Sequence, residues 1–514
     1  MKTSTFINII SDRNNNTRNS TTLHRFFNIG IRSHLTSLLY ISLLSSVVTS
    51  CAKITEEPKS TIVSSNFYKT QNDAISAVTA VYSDLTHNTH GDHASIYNRL
   101  LVLSVGMSSD DHLPGPGATN PDVRSIAVLT SSATNGRYDE LWRQHYEGIN
   151  RANAAIGRIP AIEFDATLKA RLINEAKFLR AVYYFNLVRL WGGVPLVTEE
   201  TQDLNNINVP RATADDVYKQ IIQDLTDAES LPVTYAAADA GRATRGAAKA
   251  LLLKVYITQE KWDLAIAKIQ EIKELNVYHL FDDFADIFNI AKKNSEEHIF
   301  SAQFAADGNY LFNGTGSSNV LAPTSAPAAI GGFDADNPHP SLISLYQPND
   351  KRKGVTLFDS IVAGGQSVKF QPHFKKYVDL NALAGLYQSP INIPIIRYAE
   401  VVLFEAEAIN ETAGPIQAAY DAINLVRHRA GLDNLTPGLT KDQFRDSVYV
   451  ERRLEFAFEQ IRWFDLLRTK RLVSDLKQYE DKVNISEKYY LLPIPQKEVD
   501  INPALQGHQN PGWE

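Results

Sequence analysis

Apolar residues recur every three or four positions along most of this chain, a pattern typical of helices with one buried face. The first such segment starts near Gln71 and places Ala74, Ala77, Val78 and Val81 on one side. The same spacing predicts further helices at about 138–158, 166–190, 214–230, 244–258, 261–274, 396–411, 415–430 and 441–468. Gly192 and Pro195 mark the end of the helix at 166–190.

The predicted helices follow one another closely enough to form pairs. Gln259-Glu260-Lys261 is a short turn between two of them, and Tyr and Ala are frequent on the faces that would meet. Such pairs resemble tetratricopeptide units, although their lengths vary and insertions separate them. The predicted fold class is mainly α, with irregular tetratricopeptide-like helix pairs as a scaffold and a loop-rich region with short strands.

Two stretches interrupt the helical pattern. Residues 86–137 are predicted to be rich in loops, with Pro114-Gly115-Pro116-Gly117 as strong breakers. Residues 300–395 are rich in Gly, Pro, Ser and Asn and contain short extended pieces around His298–Phe304. Long irregular stretches inside a folded domain usually carry functional surface.

The start of the chain has a different composition. A short apolar run at 35–44 follows Arg25 and Arg32 and ends in Val48-Thr49-Ser50-Cys51, which resembles a bacterial lipobox. We expect a signal peptide at 1–50, acylation of Cys51, and a tether at 51–65. A plain cleaved signal is the alternative, and a transmembrane anchor would need about 20 predominantly apolar residues.

Composition excludes several classes of protein. Cys51 is the only cysteine, so a disulfide framework and a cysteine metal site are excluded. The formal charge of −7 becomes −11 without residues 1–50, which carry five basic side chains and one acidic side chain. An acidic, exported chain is a poor partner for nucleic acid.

A row of acidic residues offers the nearest approach to catalytic chemistry. Glu451, Glu455 and Glu459 lie at i,i+4 spacing beside several arginines. Their separation of about 5–6 Å would suit a retaining glycosidase pair. Carboxylates on one face of one helix cannot flank a scissile bond, so we expect structural ion pairs.

Other candidate chemistry is weaker. The segment 87–93 holds three histidines and an aspartate, which could bind a metal but are easily solvated in a loop. Asp334-Ala335-Asp336 begins like a calcium loop, but Pro338, His339 and Leu345 replace the residues that such a loop needs. With no hydrolase, Walker or H-E-x-x-H motif, the chain is predicted to be no enzyme and to need no cofactor or metal.

Several longer runs of the sequence are distinctive when taken together. They are Glu175–Leu196 (EAKFLRAVYYFNLVRLWGGVPL), Arg242–Leu252 (RATRGAAKALL), Arg397–Glu400 (RYAE), Glu405–Ala408 (EAEA), Glu451–Glu459 (ERRLEFAFE), Arg462–Leu466 (RWFDL), Leu491–Pro495 (LLPIP) and Asn510–Gly512 (NPG). In these runs the chain resembles the SusD/RagB family, and the resemblance extends in family order from residue 175 to residue 512.

The resemblance implies a lipoprotein of the outer membrane, anchored by lipid and facing outward. Such a protein captures oligosaccharides, or in some members peptides, and acts as the lid of a TonB-dependent, SusC-like barrel. It also implies a helical part at 66–299 and a C-terminal part at 300–514, with the insertion 300–395, in one compact unit. A protein-binding adaptor and a secreted glycan hydrolase are the other classes considered.

The ligand site is predicted from residue chemistry, because the family runs mark the scaffold. Aromatic rings stack on the C–H faces of sugars while amides and carboxylates bond the hydroxyl groups. The loop regions offer this mixture at Tyr97, Asn98, Asp110, Asp111, Asp307, Asn309, Tyr310 and Phe333. A peptide would also suit an aromatic, acidic groove.

Overall fold

Long helices with one buried face form most of the structure, which is a computed structural model. It describes residues 67–87, 95–203, 207–305, 325–363, 365–380 and 389–514. The long helices are α1 Gln71–Ser83, α2 Gly136–Arg158, α3 Ala166–Trp191, α4 Ala214–Ala228, α5 Arg245–Thr258, α6 Trp262–Glu274, α7 Tyr398–Ala413, α8 Gln417–Arg429, α9 Lys441–Glu455 and α10 Arg462–Arg468.

Neighbouring helices along the chain pack against each other from α1 to α8, as tetratricopeptide pairs do. This confirms the predicted mainly helical fold class. Helix ends follow the expected local chemistry: the Thr70 side chain accepts from the Asp73 amide at the start of α1. Gly192 ends α3 at a φ of 72°, a conformation that glycine adopts without strain.

The predicted single helix at 441–468 is wrong. It divides into α9 and α10, and Phe458 and Gln460 between them have φ values of 65° and 63°. This break lets the Phe458 ring stack on Phe374, with ring centroids 4.2 Å apart. It also directs Glu459 toward Arg397. Tertiary contacts therefore override the helical periodicity of the segment.

Short strands lie mainly in the loop-rich part, as predicted. The described residues contain three antiparallel two-stranded sheets. Their strands are β1 His112–Pro114 with β3 Asp336–Pro338, β2 His298–Ala302 with β6 Ile393–Arg397, and β4 Leu357–Ala363 with β5 Gln366–Phe374. The β4–β5 hairpin was not predicted individually.

The stretch 86–137 is more helical than its composition indicates. Short helical segments occupy Ile96–Leu100, Leu101–Ser104 and Pro121–Ala127, and most of their residues are buried. The chain also has brief helices at Pro340–Leu345, Lys353–Thr356, Leu472–Leu476 and Gln496–Ile501. Within the described residues, no helix has both the length and the apolar character needed to cross a membrane.

A buried ion network joins the C-terminal helices to β6. Arg397, at the end of β6, donates to Glu455 of α9 at 2.6 Å and to Glu459 at 2.7 Å. The same guanidinium reaches Glu297, just before β2, at 2.7 Å. Arg429 at the end of α8 pairs with both Glu297 and Glu455. Four chain segments thus meet at one set of charges.

The network extends to the loop-rich part. Arg352 donates to Glu451 at 2.6 Å, and Lys376 donates to Glu459 at 2.7 Å. The ion pairing predicted for Glu451, Glu455 and Glu459 is therefore confirmed. The cations that pair with them come from distant segments of the chain and not from the arginines beside them in sequence.

The central carboxylate is strongly perturbed. Burial alone would raise the pKa of Glu455, but Arg429, Arg397 and Arg352 outweigh it and hold that pKa well below its usual range. The carboxylate therefore stays ionised in the folded protein.

We predict that Glu455→Gln destabilises the fold by about 3–5 kcal/mol, because it leaves Arg352, Arg397 and Arg429 facing one another without their shared counter-charge. Urea unfolding at pH 7 measures the effect, with Glu480→Gln at an exposed position as the control. The lowered pKa adds stability above the ordinary carboxyl pKa of about 4.3 that is lost as pH falls. The difference from the wild type should therefore narrow in acid. A Glu455→Gln variant as stable as the control would contradict this account.

Candidate functional site

The two irregular stretches of the sequence meet at one surface of the protein. β1 from the first stretch pairs with β3 from the second, with Leu113 opposite Asn337. Beyond the strands, the Gly115 amide donates to the Ala335 carbonyl at 3.2 Å. We call Pro114–Gly117, Gly331–Asn337 and His373 together the loop junction.

Two glycines make the close approach at the loop junction possible. A Cβ on Gly117 would lie 1.6 Å from the Phe333 carbonyl oxygen, and one on Gly115 would lie 2.3 Å from the Asp334 carbonyl oxygen. The Gly117 amide donates to that Asp334 carbonyl at 2.8 Å. Any side chain at either position would separate the loops. The Pro-Gly-Pro-Gly breaker thus has a packing role in addition to ending regular structure.

Phe333 is the aromatic side chain that the loop junction exposes. It has 42% of its surface open to solvent, whereas most aromatic rings among the described residues are buried. Asp334 beside it has a φ of 51° and accepts from His373 Nε2 at 2.9 Å and from Asn337 Nδ2 at 3.2 Å. The ring is therefore presented next to a carboxylate and an amide on a braced backbone.

A buried pair of side chains, His112 and Asp336, lies on the interior side of the loop junction. His112 Nδ1 lies 2.8 Å from Asp336 Oδ1, and both side chains are in the interior. The His112 ring also packs on Phe374 and Phe458, with centroids 5.1 and 5.8 Å away. This contact ties β1 and β3 to the segment between α9 and α10.

Asp110 and Asp111 lie in the interior, each 1% exposed. Asp110 accepts both hydrogen bonds of a bidentate pair from Arg462 at 2.8 Å, and Asp111 accepts from Arg453 at 2.6 Å. Arg462 and Arg453 outweigh the effect of burial and hold the pKa of Asp110 well below its usual range. These contacts make the two carboxylates part of the scaffold, and a role in ligand binding stays a prediction.

Tyr97 and Asn98 were expected in a loop, and that expectation is wrong. Both are buried in the helical turn Ile96–Leu100. The Tyr97 hydroxyl accepts from Asn186 Nδ2 at 3.0 Å, and burial raises the pKa of that hydroxyl. The apolar neighbours of Tyr97 in sequence draw the turn into the core. Contact of Tyr97 and Asn98 with a ligand stays a prediction.

Asp307, Asn309 and Tyr310 lie outside the described residues, as do Cys51 and the histidines at 90 and 93. Within the described ranges, no group of three or more His, Cys, Asp or Glu side chains is arranged to hold a metal ion. Of the eight predicted ligand residues, only Phe333 is both described and exposed. His373 was not predicted for this site, because its contact with Asp334 depends on the β4–β5 hairpin.

The fold is that of known SusD-like proteins. A solved SusD superfamily structure from Parabacteroides distasonis superposes with a TM-score of 0.75 at 25% identity, covering 86% of this chain and 99% of that one. A laminarin-binding SusD-like protein gives 0.74 at 28% identity, covering 87% and 100%. Surface glycan-binding protein A from Bacteroides thetaiotaomicron, solved with laminarihexaose, gives 0.72 at 25% identity, covering 86% and 100%.

Sequence comparison gives the same family. The model described as "SusD family" matches residues 349–513, and the model described as "Starch-binding associating with outer membrane" matches residues 118–257. SusD-like protein P2 of Formosa agariphila is 29% identical, covering 93% of this chain and 99% of its own length. The chain belongs to the SusD/RagB family.

Proposed function

We propose that this protein captures oligosaccharides at the outer membrane and passes them to a TonB-dependent, SusC-like transporter. The observation that carries the proposal is the exposed Phe333 ring beside Asp334 and Asn337 in the loop junction. Support comes from similar proteins whose names or bound ligands include laminarin and laminarihexaose.

The chemistry of the loop junction suits a sugar. The exposed face of Phe333 can cover the C–H face of a pyranose ring, which removes apolar area from water. The Asp334 carboxylate and the Asn337 amide can then bond hydroxyl groups at the ring edge. Because the Gly115 and Gly117 amides hold the facing loop by hydrogen bonds, little backbone conformational entropy is lost on binding.

The proposed role is binding without hydrolysis. The acidic row Glu451, Glu455 and Glu459 has the spacing of a glycosidase pair, but all three carboxylates are buried in ion pairs. A carboxylate enclosed by arginines can neither reach a glycosidic bond nor act as a general acid. Incubation with an oligosaccharide should therefore give no shorter products.

The proposed location is the outward face of the outer membrane, with Cys51 as the lipid attachment point. One of the matching family models is described as associating with the outer membrane. The lipobox-like Val48-Thr49-Ser50-Cys51 supplies a means of attachment. A lid over a transporter barrel needs such an attachment so that captured ligand stays near the pore.

We predict that Phe333→Ala weakens oligosaccharide binding about thirtyfold, the effect of losing an anchor worth about 2 kcal/mol. Calorimetric titration of the purified protein with a panel of oligosaccharides, laminarihexaose included, measures this. Leu264→Ala is the matched control, since Leu264 on α6 is 49% exposed and lies outside the loop junction. Unchanged affinity in Phe333→Ala, or no binding to any oligosaccharide, would refute the proposed site.

We predict that Cys51→Ala releases the protein from the outer membrane or leaves it unprocessed, because the acylated sulfur is lost. Membrane fractionation followed by immunoblotting is the measurement, with Ser50→Ala as a neighbouring control that keeps the thiol. A Cys51→Ala protein that fractionates with the outer membrane as the wild type does would show that the attachment lies elsewhere.

A further inference from the structure

An open cleft lies away from the loop junction, between α3, α4, the α5–α6 turn and α10. Its volume is about 460 Å³, within the range of small-molecule sites. Its walls combine aromatic rings, polar side chains and cations. They include Arg189, Tyr218, Thr258, Gln259, Phe464 and Lys470.

Arg189 lines this cleft, and some of its N–H groups have no hydrogen-bond acceptor among the described residues. Its guanidinium carbon lies 3.9 Å from the Phe185 ring centroid and 3.7 Å from that of Phe464, so two aromatic rings pack against the group. Nε donates to the Phe185 carbonyl at 3.0 Å, and Nη2 donates to Asn186 at 2.6 Å. The other three of its five N–H groups have no acceptor among the described residues.

Arg189 also has no carboxylate partner among the described residues, unlike other arginines of α3. Arg171 pairs with Glu175, and Arg180 pairs with Asp224 at 2.7 Å. Burial lowers the pKa of Arg189 to about 10, so the group still carries its charge at neutral pH. A charged, partly buried guanidinium with spare donors can bind an anion.

The carboxylates near Arg189 are already engaged by other cations. Glu400 pairs with Lys254 and Arg452, Asp465 pairs with Arg452 and Arg468, and Arg468 also holds Glu407. These three carboxylates balance three cations, and Arg189 is a fourth cation beside them. The set therefore carries one positive charge in excess beside the cleft, which a bound anion would neutralise.

The cleft also offers uncharged polar groups that lack partners. The Gln259 side-chain amide nitrogen and the Tyr218 hydroxyl make no hydrogen bond with the described residues, and both residues line the cleft. A ligand with hydroxyl groups would satisfy both, since the Gln259 nitrogen donates a hydrogen bond and Tyr218 can donate or accept one.

We propose that this cleft is a second binding site, for a sugar that bears a carboxylate. The carboxylate binds the unpaired N–H groups of Arg189, and the sugar hydroxyl groups bond Gln259 and Tyr218. Tyr218, which is half-buried at the wall of the cleft, supplies the aromatic surface on which the ring rests. The site is separate from the loop junction and does not depend on the function proposed for it.

Calorimetric titration of the purified protein with glucuronate, glucose and acetate tests the proposal. Glucuronate should bind at least tenfold more tightly than either glucose, which lacks the carboxylate, or acetate, which lacks the hydroxyl groups. Arg189→Met keeps the apolar stem between the two rings and should weaken glucuronate binding at least tenfold. Equal binding of glucuronate and glucose, equal binding of glucuronate and acetate, or no binding of glucuronate would overturn the proposal.

A surface variant covers the case in which Arg189→Met does not fold. Lys470→Glu adds negative charge at the rim of the cleft, where the Lys470 side chain is 75% exposed and pairs with Glu260. Lys497→Glu is the matched control, because the Lys497 side chain is also 75% exposed and pairs with Asp139 away from the cleft. Glucuronate affinity should fall severalfold in Lys470→Glu and not in Lys497→Glu. Equal affinity in both variants would contradict an anion site in the cleft.

Discussion

Buried ion pairing between arginines and carboxylates is the constraint on which this structure depends. Glu455 is fully buried, and its charge is acceptable only because Arg352, Arg397 and Arg429 surround it. Each of these arginines comes from a different segment, so the charges can be neutralised only when the segments are correctly assembled. We infer that the network specifies the arrangement of the C-terminal helices more than it adds net stability.

The same constraint separates scaffold from binding surface. The family runs of the sequence supply charges that hold helices together, and the three carboxylates of Glu451–Glu459 are all engaged in ion pairs. We propose that the irregular stretches carry the binding chemistry, because they meet at the loop junction and place Phe333 at the surface. The His112–Asp336 pair connects the two parts, because it lies beneath the loop junction and packs on Phe458.

Local pattern predicted the helices well, since their periodicity and caps lie within one segment. It failed where contacts with residues distant in sequence determine the local conformation. The break at Phe458 reflects stacking on Phe374 and the ion pairs of Glu459. Asp110 and Asp111 resemble ligand groups in sequence, but their partners Arg462 and Arg453 lie more than three hundred residues away. Phe333 could be chosen from composition alone, whereas its support from His373 and Gly117 could not.

The central claim is that the loop junction binds the oligosaccharide while the helices serve as the scaffold. Hydrogen exchange of the protein with and without a neutral oligosaccharide such as laminarihexaose tests this claim most directly. The account predicts slower amide exchange in Gly331–Asn337 and at Gly115 and Gly117 when ligand is present. The exchange rates of α9 should be the same with and without ligand. Ligand-dependent protection confined to α9 or to the helix pairs, with none at the loop junction, would contradict it.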